Sequence, residues 1–384
     1  MSAPGLYLHV PFCRHVCGYC DFNTYAGLED QIPRYVAALH ADLARVAAAG
    51  PRALAPPEAD VDAAWPAFGS IFVGGGTPTL LPAADLAGLL RAVRVHLPVA
   101  ADAEVTTEAN PENITADYTA ELVAAGLTRV SIGAQSFSAH VLLFLDRDHH
   151  ADLPLRAVAE ARAGGVSSVN LDLIYGAPAE TAKDWERSLR AAVEAGTDHV
   201  SAYALTLERG TTYAARVRAG TQAAPDDDVA AQRMDAASLH LSAAGLERYE
   251  ISNWARPGHA SRHNLNYWRS GDWLGLGAGA HSHWRGRRWW SWRAPGRYSE
   301  AALAGWDTTS GHELVDAAGA RTERLLLGLR MTTGVPRAQV EPVDERQAAR
   351  LVGAGLLRDA HGVLALTEAG RAVADDITLR LLPG

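Results

Sequence analysis

Six short apolar runs, each followed by a stretch with helical spacing, constrain this chain more than any other feature. They fall at 6–10, 70–73, 104–107, 129–133, 168–172 and 199–203. Strands that alternate with helices pair in parallel through right-handed crossovers. Residues 1–225 therefore predict an α/β domain, either an open doubly wound sheet or an incomplete barrel. The first helix is expected over about 32–48, with Val36, Leu39, Leu43 and Val46 three and four residues apart. Residues 49–67, rich in Ala and Pro, read as a surface loop.

In parallel α/β folds, ligands bind at the carboxyl ends of the strands. Each of the six runs ends in a chemically unusual stretch: a Cys-rich loop, Gly74-Gly75-Gly76-Thr77-Pro78, Glu108 with Asn110, Gln135-Ser136, Asp172 with Tyr175-Gly176, and Tyr203-Ala204. The agreement places them on one rim and predicts a single active face. The glycine run lacks the Lys-Ser/Thr of a P-loop and the spacing of a dinucleotide fingerprint. It is either a tight turn or a backbone that approaches a ligand closely. Glu108 reads as a helix-capping carboxylate or a ligand-facing one. Asp172 sits in an apolar run, where an unpaired charge is costly, so it needs a partner. Leu274 to Gly279 imitates a nucleotide loop without its βαβ context and is expected to be a packing turn.

The chain has three cysteines, Cys13, Cys17 and Cys20, all in the first rim loop at C-x3-C-x2-C spacing. Three is an odd number for disulfides, and a structural zinc site needs a fourth ligand. They are either small buried hydrophobes or thiolate ligands of an iron–sulfur cluster, which three of them would hold with one iron free. A net charge of −9 argues against a protein that works by neutralising nucleic-acid phosphates. The N-terminal residues carry no signal-peptide pattern and no run approaches a membrane span, so a reducing cytoplasm is expected.

Beyond the repeats, His263 lies among Tyr249, Trp254, Tyr267, Trp268 and Trp273 in a chain that is 7% aromatic. On the residues alone it is either a hydrogen-bonded structural histidine or a ligand. Trp289, Trp290 and Trp292 are expected to cover a core edge. After residue 310 the pattern becomes helix, helix, hairpin and a last helix capped by Thr367. That order resembles a winged helix. From Arg321 onward nine Arg face eight acidic residues, so a packing or partner-docking role is expected rather than DNA binding. Three domains are expected: 1–225, 226–309 and 310–384.

The segments YLHVPFCRHVCGYCDFN, FVGGGTPTLL, TTEANPE, SIGAQSF and NLDLIYGAP resemble, in order and spacing, the coproporphyrinogen-dehydrogenase-like branch of radical-SAM proteins. The resemblance covers nearly the whole chain. It implies a partial (β/α)6 barrel with a small C-terminal winged-helix-like domain. It also implies a 4Fe-4S cluster on Cys13, Cys17 and Cys20, with the free iron chelating S-adenosylmethionine. Tyr7, Gly75, Gly76, Thr77, Glu108, Gln135, Arg147 and Asp172 would line the S-adenosylmethionine region, Glu108 receiving its ammonium group.

Two branches divide this group. The porphyrin-forming enzyme carries a longer N-terminal arm and a further Cys after the third, whereas here six residues precede Tyr7 and Asp-Phe-Asn-Thr follows Cys20. The Cys-Asp-Phe-Asn at 20–23 and the His-Asn-Leu-Asn-Tyr-Trp at 263–268 resemble the haem-chaperone branch instead. That resemblance implies haem held through His263, with His281 or His283 as weaker candidates for a second ligand. It also implies delivery to respiratory or other haem proteins at the inner face of the membrane. The alternative is an oxygen-independent coproporphyrinogen III dehydrogenase that uses S-adenosylmethionine for oxidative decarboxylation. A purely structural iron–sulfur protein is disfavoured by the ligand-like rim.

Overall fold

A computed structural model describes residues 3–383; Met1, Ser2 and Gly384, and with them the start of the segment read above for a signal peptide, lie outside the described residues. The six apolar runs are parallel strands: β1 (Gly5–Val10), β2 (Phe68–Gly75), β3 (Val99–Ala109), β4 (Arg129–Gln135), β5 (Ser168–Tyr175) and β6 (His199–Ala204). They are adjacent in chain order, as in an incomplete barrel wound by strand–helix units. In β1, β4 and β5 most residues are buried on both faces, which is why they read as continuous apolar runs rather than alternating ones.

The chain then returns to both edges of the same sheet. Strands β7 (Glu247–Glu250) and β8 (Asn253–Ala255) add antiparallel beside β6. Strand β9 (Trp273–Leu276) pairs in parallel with β1, placing Tyr7 opposite Gly275. Strands β10 (His281–Trp284), β11 (Arg287–Ser291) and β12 (Thr309–Leu314) continue antiparallel. Among the described residues the sheet has the order β12-β11-β10-β9-β1-β2-β3-β4-β5-β6-β8-β7. The expected packing turn at Leu274–Gly279 is thus corrected. Its first half is a strand shielded by the edge of β1, and only Gly277 and Gly279, with φ of 109° and 74°, form the turn.

The helices follow local chemistry. Ile32–Leu54 buries Tyr35, Val36, Leu39, Leu43 and Val46 on one face, and truncating Leu39 or Leu43 to Ala costs about 2–5 kcal/mol. It runs past residue 48 into the expected loop, broken by Gly50 at φ 76°. Helix Ala116–Ala124 is capped by Thr115, not by Glu108, and Ala182–Glu194 starts with a Thr181–Asp184 capping box. One continuous core extends from Leu6 to Ala302.

The C-terminal residues form a smaller core of Leu325, Leu329, Leu351, Leu357, Leu364, Ile377 and Leu381. Helices Ala317–Arg330 and Glu345–Gly353 precede a hairpin of Leu357–Ala360 and Val363–Leu366, which Val335–Pro336 extends to three strands. Thr367 caps only the short helix Glu368–Arg371, and a separate helix, Ala374–Leu381, follows. This unit docks on β7 and on the helix Arg262–Trp268. The Arg330 guanidinium lies 4.5 Å over the Trp268 ring and reaches buried Glu250 at 3.1 Å. Among the described residues no helix is long and apolar enough to cross a membrane.

Candidate functional site

The carboxyl ends of the parallel strands open into two adjoining cavities. The smaller, about 340 Å³, is lined by all three cysteines together with Gly75, Gly76, Thr77, Glu108, Gln135, Arg147 and Asp172. Every candidate cluster or S-adenosylmethionine residue except Tyr7 therefore faces one space, and the candidate haem ligand His263 lies outside it. Tyr7 lies in the neighbouring cavity, stacked on Phe72 and bonded to His9 Nδ1 at 2.9 Å.

Backbone bonds press the cysteine loop against the glycine loop. Gly76 N donates to Val10 O at 2.8 Å and Thr77 N to Phe12 O at 2.8 Å. A Cβ on Gly76 would stand 2.6 Å from Phe12 O and 3.0 Å from Cys13 Sγ, so only glycine fits there. The Thr77 hydroxyl approaches Cys13 Sγ and the Arg147 guanidinium approaches Cys17 Sγ, each at 3.6 Å. Arg147 is itself aimed by Asn110 Oδ1 at 2.8 Å and Gly133 O at 3.0 Å.

These residues suit a cluster. Burial pushes the Cys13 thiol up to about 11 and raises that of Cys20, so their thiolates require a compensating cation. Among the described residues no three His, Cys, Asp or Glu side chains converge on a single ion. A cubane does not need such convergence, because each thiolate binds a different iron at its own corner.

The carboxylates have distinct settings. Glu108 is next to last in β3 and accepts from Gly75 N at 2.9 Å; burial, aided by the like charge of Asp172, pushes its carboxyl up to about 8. A cation arriving in the cavity would restore its charge. Asp172 has the partners its apolar setting demanded. Ser131 Oγ donates at 2.9 Å and Asn170 Nδ2 at 2.8 Å, while burial still raises its pKa. Gln135 sits at φ 62° beside a bulge between β4 and β5, a strained conformation for a residue with a side chain, and this turns it toward the cavity.

Four residues that position the cysteine loop, Asp146, Tyr213, Arg216 and Asn23, were given no such role by the sequence. Asp146 accepts from Gly18 N at 3.1 Å and holds Arg216 at 2.9 Å, while Tyr213 N donates to Gly18 O at 2.7 Å. Asn23 donates to the carbonyls of Ala278 and Arg293, both at 3.0 Å, and so ties the cysteine loop to the β9–β10 turn and to the segment after β11. The Cys-Asp-Phe-Asn run was the available signal for Asn23. None marked the others, whose partners are remote in sequence.

His263 is placed differently from an open ligand. It is 1% exposed, its Nδ1 is bonded to Ser70 Oγ and its Nε2 to Tyr267 OH, each at 2.9 Å, and its ring stacks on Phe72. Both nitrogens are engaged, so the ring braces the helix Arg262–Trp268 against β2.

The larger cavity, about 650 Å³, shares Phe22, Gly75 and Glu108 with the smaller one and is walled by Tyr267, Trp273 and Trp290. Its size lies within the usual range for small-molecule sites, about 300–1,000 Å³.

A parallel strand–helix barrel with a three-cysteine loop at its carboxyl rim defines a radical-SAM protein, and residues 7–192 match the Radical SAM superfamily model. The superfamily carries a 4Fe-4S cluster and S-adenosylmethionine. The chain is 47% identical over 382 residues to the heme chaperone HemW of Mycobacterium tuberculosis strain H37Rv, covering 98% of this chain and 94% of that protein. It is 35% identical to the mouse mitochondrial radical S-adenosyl methionine domain-containing protein 1, covering 98% and 87%. The coproporphyrinogen III oxidase HemN of Escherichia coli superposes with a TM-score of 0.81 at 21% identity, covering 98% of this chain and 90% of that one. The chain belongs to the HemW family.

Proposed function

We propose that this protein is a haem chaperone: it binds haem in the larger cavity and passes it to haem proteins, beside a cluster held by Cys13, Cys17 and Cys20. The observation that carries the reading is the aromatic-walled cavity opening directly onto the cysteine cavity. The name shared by the bacterial relatives supports it. Glu108 is suited to the ammonium group of S-adenosylmethionine, and Thr77 and Arg147 to orienting the cluster's sulfur ligands. When bound, the cluster supplies a site for electron transfer and an open iron for S-adenosylmethionine. Haem proteins of respiration are the acceptors this reading favours, with the protein working in the cytoplasm at the inner face of the membrane.

The porphyrinogen-oxidising alternative rests on the likeness of fold to HemN. An anaerobic haem titration of the cluster-reconstituted protein, followed by addition of an apo haem protein, separates the two. Saturable, near-stoichiometric binding and transfer, read in the visible spectrum, are expected. Absence of binding with turnover of coproporphyrinogen III would overturn the reading.

A further inference from the structure

Four imidazoles stand in or around the larger cavity, and their exposure and nearest partners separate them. His9 is bonded through Nδ1 to Tyr7 OH and through Nε2 to the Asn23 carbonyl, both at 2.9 Å. His263 has both nitrogens engaged, as described. His283 Nδ1 lies 3.1 Å from Asp272 Oδ1, with the ring stacked on Trp273. Of the four, His281 alone lines the cavity without a side-chain hydrogen bond, and no carboxylate stands within ion-pair distance of its ring among the described residues. It is exposed, lines the cavity and stacks on Trp290 with ring centroids 5.6 Å apart and planes 27° from parallel.

The sheet register makes this a built surface. His281 pairs with Trp290 across β10 and β11, and Trp273 pairs with His283 across β9 and β10, so two tryptophans and two histidines share one face. Arg293 lines the same cavity; its Nε donates to Asn23 Oδ1 at 3.2 Å, and it has no carboxylate partner among the described residues. A flat apolar ring with an iron at its centre and carboxylates at one edge matches this combination of aromatic wall, open imidazole and unpaired guanidinium.

We infer that His281, not His263, gives the iron its protein nitrogen, with the porphyrin against Trp273 and Trp290 and one propionate on Arg293. The inference rests on the haem-chaperone reading and deepens it. A ring nitrogen of neutral His281 donates its lone pair to the iron, and no electron or proton is transferred in that step. His263 would have to surrender two hydrogen bonds and leave a niche closed by Phe72 and Gly5, where a Cβ would stand 2.9 Å from its ring. Its truncation strands Ser70 and Tyr267, and thereby affects haem through packing.

The test is a titration of the reconstituted protein with hemin and, separately, with metal-free protoporphyrin IX. His281→Ala is expected to weaken hemin binding about tenfold or more and to shift the Soret band, leaving protoporphyrin IX binding within about twofold. His281→Met, which keeps a ligand and the bulk, is expected to bind hemin with an altered spectrum. Trp290→Ala is expected to weaken both porphyrins. If the wild type binds hemin and both His281 variants match it in affinity and spectrum, the inference is overturned while the haem reading stands. If the wild type binds no hemin, the haem reading fails and the inference with it.

Discussion

The Asp146 carboxylate accepts a hydrogen bond from the backbone N–H of Gly18 at 3.1 Å, joining the centre of the cysteine loop to a residue 128 positions away. The contact is close enough that a Cβ on Gly18 would stand 2.3 Å from Asp146 Oδ2. A loop that must present three thiolates in a fixed geometry thus depends on a carboxylate beyond β4. Asp146→Ala frees Gly18 N and leaves Arg216 without its partner. The expected cost is about 1.5–3 kcal/mol, because a hydrogen bond to a charged group is lost. Iron and sulfide content after reconstitution should fall, and urea unfolding should show the loss of stability. Full cluster occupancy in the variant would show that the loop holds its shape unaided.

Cys17→Ala should abolish the four-iron cluster, since a three-thiolate site has no spare ligand. Iron and acid-labile sulfide assays with the visible spectrum decide this. A mutant retaining four irons and four sulfides would remove Cys17 from the ligand set.

Acid should destabilise the protein through His263. Burial holds its imidazole at about 3, below the ordinary 6.5, so the unfolded chain binds a proton that the folded one refuses. Stability from this group is present above pH 6.5 and declines as pH falls toward 3. Between pH 6.5 and 5 the loss is about 2 kcal/mol at 1.36 kcal/mol per unit. His263→Gln, which cannot titrate, should make that part of the profile shallower in urea unfolding at a series of pH values, with His9, His149 and His199, whose imidazoles burial also holds low, supplying the remaining slope. An unchanged slope would contradict the assignment.

Arg330→Met should loosen the C-terminal unit. Glu250 is fully buried and meets Arg330 at 3.1 Å, so removing the guanidinium leaves a buried carboxylate short of its charge partner, at a cost of about 3–5 kcal/mol. Limited proteolysis should cut the variant sooner between β12 and the helix Ala317–Arg330. Double substitution with Glu250→Gln should recover part of the loss.

The parallel strands, the helix from Ile32 and the rim residues at the strand ends were legible because their signals are local. Apolar runs buried on two faces, a period of three and four residues, and glycines beside cysteines all act within a few positions of one another. Thus Cys13, Gly76, Glu108 and Asp172 face one cavity because the strand ends of a parallel fold do. Tertiary structure alone decided what arises between distant segments. Strand β9 lies beside β1 although the 262 residues from 11 to 272 separate their ends; the first half of the Leu274–Gly279 stretch is therefore an interior strand, paired on both sides, where the sequence suggested a turn. The same long-range pairing engages His263 with Ser70, 193 positions away, and leaves His281 open beside Trp290. A histidine motif specifies that an imidazole is present. Whether its nitrogens face a cavity or a hydroxyl depends on which strands pair, and burial of the whole sheet determines that.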